Sequence, residues 1–171
     1  MRLRRNSHRD AAARAYIGVV EQARRPGFFT NYGVPDTLDG RFELVCLHAF
    51  FYLHRLKGLA EAAAVGQEFF DTMFADFDRS LREIGTGDLS VGRQVTRMAE
   101  AFYGRIHAYE DGLAGDDSVL AAALSRNLYG TAPPDPTRLG RMVAYTRREV
   151  ARLVGEPATA LIAGAIEFGP P

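Results

Sequence analysis

The 171-residue sequence suffices for one ordinary domain and is too short for two, and at 47% hydrophobic and 25% charged it lies outside the disordered and fibrous classes. The single cysteine, Cys46, excludes an internal disulfide, cysteine zinc ribbons and iron–sulfur clusters. Net charge is zero but unevenly spread: residues 1–35 carry seven Arg against Asp10 and Glu21 (+5), residues 36–117 carry fifteen acidic against eight basic residues (−7), and residues 118–171 return +2.

The first helix is predicted over residues 7–24, with Ser7 as N-cap and an Ala-rich stretch from Ala11 to Ala15. Pro26-Gly27 ends it, and Phe28 to Pro35 reads as an aromatic loop. Asp36 or Thr37 caps a second helix reaching Gly58, whose segment Phe42 to Leu53 is apolar nearly all round. Such a helix belongs in the middle of a bundle.

A third helix from Glu61 to Ile84 carries Val65, Phe69, Met73, Phe77, Leu81 and Ile84 on one stripe. Gly85-Thr86-Gly87 stops it, and Asp88 or Ser90 caps a fourth with a seam of Val91, Val95, Met98, Phe102, Ile106, Tyr109 and Leu113. Asp116 or Asp117 starts a short fifth helix ending at Gly130. After the loop Thr131-Ala132-Pro133-Pro134, Asp135 and Pro136 open a sixth helix to Gly155 by the N-cap and N1-proline rule. Residues 156–168 add a final short helix. The expectation is all-α: a basic N-terminal arm at residues 1–9 and one compact domain at residues 10–171, of six or seven helices around a central apolar helix at about 38–57.

No reaction emerges from spacing. His48 and His54 lie six residues apart, about 240° around a helix, so one metal cannot take both. His48 therefore reads as a buried structural histidine, and neither metal nor cofactor is expected. Cys46 among Leu44, Val45 and Leu47 reads as an inert thiol. The carboxylates Glu68, Asp71, Asp76 and Asp78 read as a solvated, ion-paired face. The aromatic excess reads as a large core, or as a groove for an apolar segment of another protein. Two other classes stay open: a haem- or metal-handling enzyme using His48 and the helix carboxylates, and a ribosome- or RNA-binding module using the N-terminal arginines.

Three stretches carry a resemblance: Tyr32-Gly-Val-Pro-Asp through Leu47-His48; Phe70-Asp-Thr-Met-Phe-Ala-Asp-Phe-Asp-Arg-Ser-Leu-Arg-Glu83 with Gly85-Thr-Gly-Asp-Leu89; and Met98-Ala-Glu-Ala-Phe-Tyr-Gly-Arg105 continuing through Tyr109 and Gly112 to Arg126-Asn127. In this order, over residues 10–155, the chain resembles the ubiquinol–cytochrome c chaperone family, in the form of a compact alphaproteobacterial member. The resemblance implies a non-enzymatic helical assembly factor that binds newly made cytochrome b and supports assembly of the respiratory cytochrome bc complex. It further implies contact with the ribosome and a small partner assembly factor, no DNA, and a cytoplasmic place, peripheral at the inner face of the inner membrane. No transit peptide or membrane anchor is read in the sequence. The motif positions carried over as architecture or client surface are Pro35, Asp36, Phe42, His48, Asp76, Tyr103, Tyr109, Gly112, Arg126 and Asn127. Tyr103 and Tyr109 are expected to present their rings to a groove.

Overall fold

The computed structural model describes residues 2–130, 132 and 134–171, with side-chain surroundings for residues 7–87, 90–130, 132 and 134–171. Among the described residues there are eight helices and no strand: α1 Arg2–Ala23, α2 Gly27–Thr30, α3 Leu38–Lys57, α4 Ala63–Glu83, α5 Asp88–Ala114, α6 Asp117–Leu128, α7 Pro136–Gly155 and α8 Ala158–Ile162. No described helix is long and apolar enough to cross a membrane.

Helix α3 is the axis of the bundle, in contact with α1, α4, α5, α6 and α7. Every residue from Cys46 to Tyr52 is buried, which is why the segment is apolar on all sides. Phe42 and Leu53, at either end of that run, are only half-buried. Thr37 caps α3 by accepting from the Gly40 amide at 3.1 Å. Gly40 is needed there, because a β-carbon would lie 2.0 Å from the Pro35 carbonyl oxygen.

Four expectations give way. Helix α1 starts at Arg2, so Ser7 lies inside it and caps nothing; α1 runs unbroken through residues 2–9. The basic side chains of Arg2, Arg4 and Arg5 lie outside the described residues. The aromatic loop contains a helical turn, α2, which buries Phe28. Ile84 ends the α4 stripe in solvent, because α4 stops one residue earlier. Gly87 occupies the N-cap position of α5, and Ser90 donates its hydroxyl to the Gly87 carbonyl at 2.7 Å; the Asp88 side chain, and Thr131 and Pro133 of the next loop, lie outside the described residues.

Asp116 caps α6 through the Ser118 and Val119 amides, and Asp135 caps α7 with Pro136 in the first turn. Arg147 of α7 ties the helix ends together, donating to Asp117 at 2.6 Å and to the carbonyls of Gly112, Leu113 and Gly115 at the end of α5. A cation at that helix terminus also offsets its partial negative charge. After α8, residues 165–171 run back as an irregular strap along α1 and α7.

Candidate functional site

On one side of α3 the core is sealed around His48. Its ring meets Phe28 and Phe168 at 5.1 Å, Phe51 at 5.4 Å and Tyr145 at 5.8 Å, all edge-on. The Nδ1–H donates to the Leu44 carbonyl at 2.7 Å, and the Tyr145 hydroxyl donates to Nε2 at 2.8 Å. The Tyr145 oxygen then accepts from Gln22 Nε2 at 2.9 Å. This chain of donors is self-consistent only with neutral imidazole. Burial holds the His48 pKa down to about 4, opposed by its hydrogen bond to Leu44. Both ring nitrogens are occupied, so His48 is the structural histidine expected of it. Burial likewise raises the Cys46 thiol, leaving it protonated and unreactive.

The carboxylates do not converge on His48. Asp78 pairs with Arg82 at 2.7 Å and Asp71 accepts from Gln67 at 2.8 Å, both within one turn of α4. Asp76 accepts from the Tyr16 hydroxyl at 2.8 Å, tying α4 to α1. Among the described residues no three His, Cys, Asp or Glu side chains sit where they can share a metal ion.

The motif positions fall into separate places. Asp36 is exposed and pairs with Arg41 at 2.7 Å, which lowers its pKa; Pro35 is half-buried beside it. Phe42 packs on Phe77 at 4.9 Å, with the Arg105 guanidinium over its ring at 5.7 Å. Arg105 in turn donates through Nε to buried Glu43 at 2.6 Å and through a second nitrogen to the other carboxylate oxygen. Gly112 lets α5 and α6 touch: a β-carbon there would lie 2.8 Å from the Leu120 Cα. Asn127 faces the Tyr109 hydroxyl, and exposed Arg126 lines a cleft of about 560 Å³ between α5 and α6 with Asp111 and Val119.

Tyr103 and Tyr109 share a helix and nothing else. Tyr103 is 54% exposed, whereas Tyr109 is fully buried against Phe50, with ring centroids 5.3 Å apart. The expectation that both rings face a groove is corrected for Tyr109: it sits on the α5 seam that α3 and α6 cover, so it offers no surface.

Tyr103 does belong to an open apolar strip. Its ring lies 5.5 Å from half-buried Phe70, which stacks on Phe74 at 4.5 Å. One turn back along α4, Gly66 and Ala63 join Leu53, Leu56, Leu59 and Ala62 around a hollow of about 180 Å³. Its rim is polar: Lys57 donates to Glu110 at 2.9 Å, and His54 lies 3.5 Å from the same carboxylate. Half-exposed aromatics beside small residues, rimmed by charge, form a surface that can take an apolar segment and perform no chemistry on it. The contribution of Leu59 and Ala62 was hidden in the sequence, because it comes from the α3–α4 turn rather than from either helix stripe.

Residues 30–168 match the family described as ubiquinol-cytochrome C chaperone. Over 141 residues the chain is 33% identical to the Xenopus laevis ubiquinol-cytochrome-c reductase complex assembly factor 1, covering 82% of this chain and 70% of that protein. The corresponding Mus musculus protein is 29% identical over 144 residues, covering 84% of this chain and 49% of its own length, so the chain spans about half of that relative. The crystal structure of the Cbp3 homolog from Brucella abortus superposes with a TM-score of 0.82 at 38% identity, covering 98% of this chain and 94% of that one.

Proposed function

Because this chain belongs to the ubiquinol-cytochrome C chaperone family, we propose that it is a non-enzymatic assembly chaperone that binds newly made cytochrome b and supports assembly of the respiratory cytochrome bc complex. The observation that carries the reading is the open strip of Tyr103, Phe70 and the Leu53–Gly66 hollow, on a molecule whose His48 and Cys46 are sealed in the core. A holdase needs apolar surface for its client and charge to stay soluble when empty. Ribosome contact, a small partner assembly factor and a peripheral place at the inner face of the inner membrane belong to the same reading, since the client is made and inserted there.

Loss of the chain should lower assembled cytochrome b while its message persists, because unassembled protein is removed after synthesis. A null strain with normal cytochrome b and normal quinol oxidation would sink the assignment. The tagged chain should recover newly made cytochrome b from its native host, read by mass spectrometry.

A further inference from the structure

The strap of residues 165–171 is held in an unusual way. Among the described residues, from Ile166 onward it makes no main-chain to main-chain hydrogen bond. Its backbone is held by side chains instead. Gln22 Nε2 of α1 donates to the Gly169 carbonyl at 2.7 Å, and the Gly169 amide donates to Glu149 Oε2 of α7 at 2.8 Å. Arg148 donates to the Pro170 carbonyl at 2.6 Å, and Arg152 to that of Glu167 at 3.3 Å. Gln22 and Glu149 are both buried, so the two peptide groups on either side of the Gly169 Cα are held inside the protein, one by its N–H and the next by its carbonyl. Ahead of it, Phe168 inserts its ring against His48 and Phe51. A β-carbon at position 169 would lie 2.7 Å from Glu149 Oε1, so the clamp selects glycine.

This is the chemistry of a peptide-binding site: a pocket for one aromatic side chain, a clamp on the N–H and carbonyl of the next residue, and arginines on the carbonyls flanking it. Buried Gln22 and Glu149 would lose these partners if the strap left and nothing replaced it, which disfavours an empty cradle. We propose that the cradle between α1, α3 and α7 is a second client grip, which takes in trans an extended apolar segment carrying an aromatic–glycine step, and that the strap occupies it in cis until such a segment displaces it. The proposal rests on the chaperone reading above. The strap is tethered, so a competitor meets an effective concentration on the order of millimolar. Only a segment delivered locally, as from a client already on the Tyr103 strip, then wins.

The test uses the full chain and a fluorescent peptide of residues 163–171. Phe168→Ala in the chain weakens the strap and should tighten binding of the wild-type peptide by about tenfold or more, as loss of a tethered competitor requires. Adding Gln22→Ala or Glu149→Gln should abolish that gain, and a peptide with alanine at position 168 should not bind. If Phe168→Ala does not fold, Gly169→Ala loosens the clamp with the aromatic in place. Folded strap variants that bind peptide no better than wild type overturn the proposal, as does binding indifferent to Gln22 and Glu149. The client arm asks whether the peptide competes with newly made cytochrome b for the Phe168→Ala chain. Peptide binding without that competition overturns the client grip but leaves the chaperone reading standing, and sedimentation showing strap exchange between two copies assigns the cradle to self-association and overturns it too. Failure of the null-strain experiment with peptide binding intact breaks the chaperone reading and the client role that rests on it, and leaves only a cradle that exchanges its strap for peptide.

Discussion

Two aromatic regions flank α3, built from the same residue types, and they do opposite work. Around His48, the rings of Phe28, Phe51, Tyr145 and Phe168 pack edge-on, and both His48 ring nitrogens, the Tyr145 hydroxyl and the Gln22 amide nitrogen have partners. Along α4 and α5, Phe70 and Tyr103 stack on each other with one face open, next to the shallow Leu53–Gly66 hollow. The first region holds the fold together because its groups are satisfied internally; the second is left unfinished and can be completed by another chain. Aromatic content alone does not tell the two apart.

The comparison is easiest to break at the sealed side. Phe51→Ala, in the fully buried run of α3, should lose about 3–5 kcal/mol in urea denaturation. A loss below about 1 kcal/mol would show that the sealed side relaxes as freely as the open one.

The Glu43–Arg105 pair ties α3 to α5. Desolvation raises the Glu43 pKa, opposed by its bond to Arg105. Arg105→Ala should cost about 3–5 kcal/mol by stranding a buried carboxylate, and Glu43→Gln in the same chain should recover part of it. Equal losses in single and double variants would mean that packing of the Arg105 stem on Phe42, not charge, holds that seam.

A pH titration reads the sealed side without altering its shape. The His48 pKa is about 4 in the folded chain and near 6.5 unfolded, so the unfolded state binds the extra proton between those values. Stability from this group is whole above pH 6.5 and is lost as pH falls through the window, by up to roughly 3 kcal/mol. The wild-type and His48→Gln curves should therefore differ in slope between pH 6.5 and 4; parallel curves would show that His48 is not sealed.

The smallest expected change in stability lies on the open side. Tyr103→Ala should stay within about 0.5 kcal/mol of wild type, as an exposed substitution does. Yet it should weaken cytochrome b capture by about 2 kcal/mol, roughly thirtyfold, the scale of an aromatic anchor. Normal capture by the folded variant would move the client surface elsewhere and leave the fold account intact.

Local rules carried much of the architecture. Asp116 and Asp135 were readable as caps, because a short acceptor ahead of a helical pattern has one local use. Burial of α3 followed from a segment with no polar face, which no surface position tolerates. The start of α1 was not readable, since an Arg-rich stretch without an apolar face gives no periodic signal and Ser7 offers a false cap. The site was less legible still. Spacing puts Tyr109 on the α5 seam and Tyr103 off it, but that Tyr103 meets Phe70 depends on where α4 crosses α5. No spacing along α5 contains that information.

The sequence by itself determined an all-helical chain, its central helix, most helix ends and its family, because periodicity, caps and motif order are properties of neighbouring residues. Only the tertiary structure decided that His48 is sealed by Tyr145 from 97 positions away, that Tyr103 lies against Phe70, and that Gln22 and Glu149 close on Gly169. Those pairings join residues distant in the chain, and they exist only once helix packing has brought the groups within hydrogen-bond reach and removed the water between them.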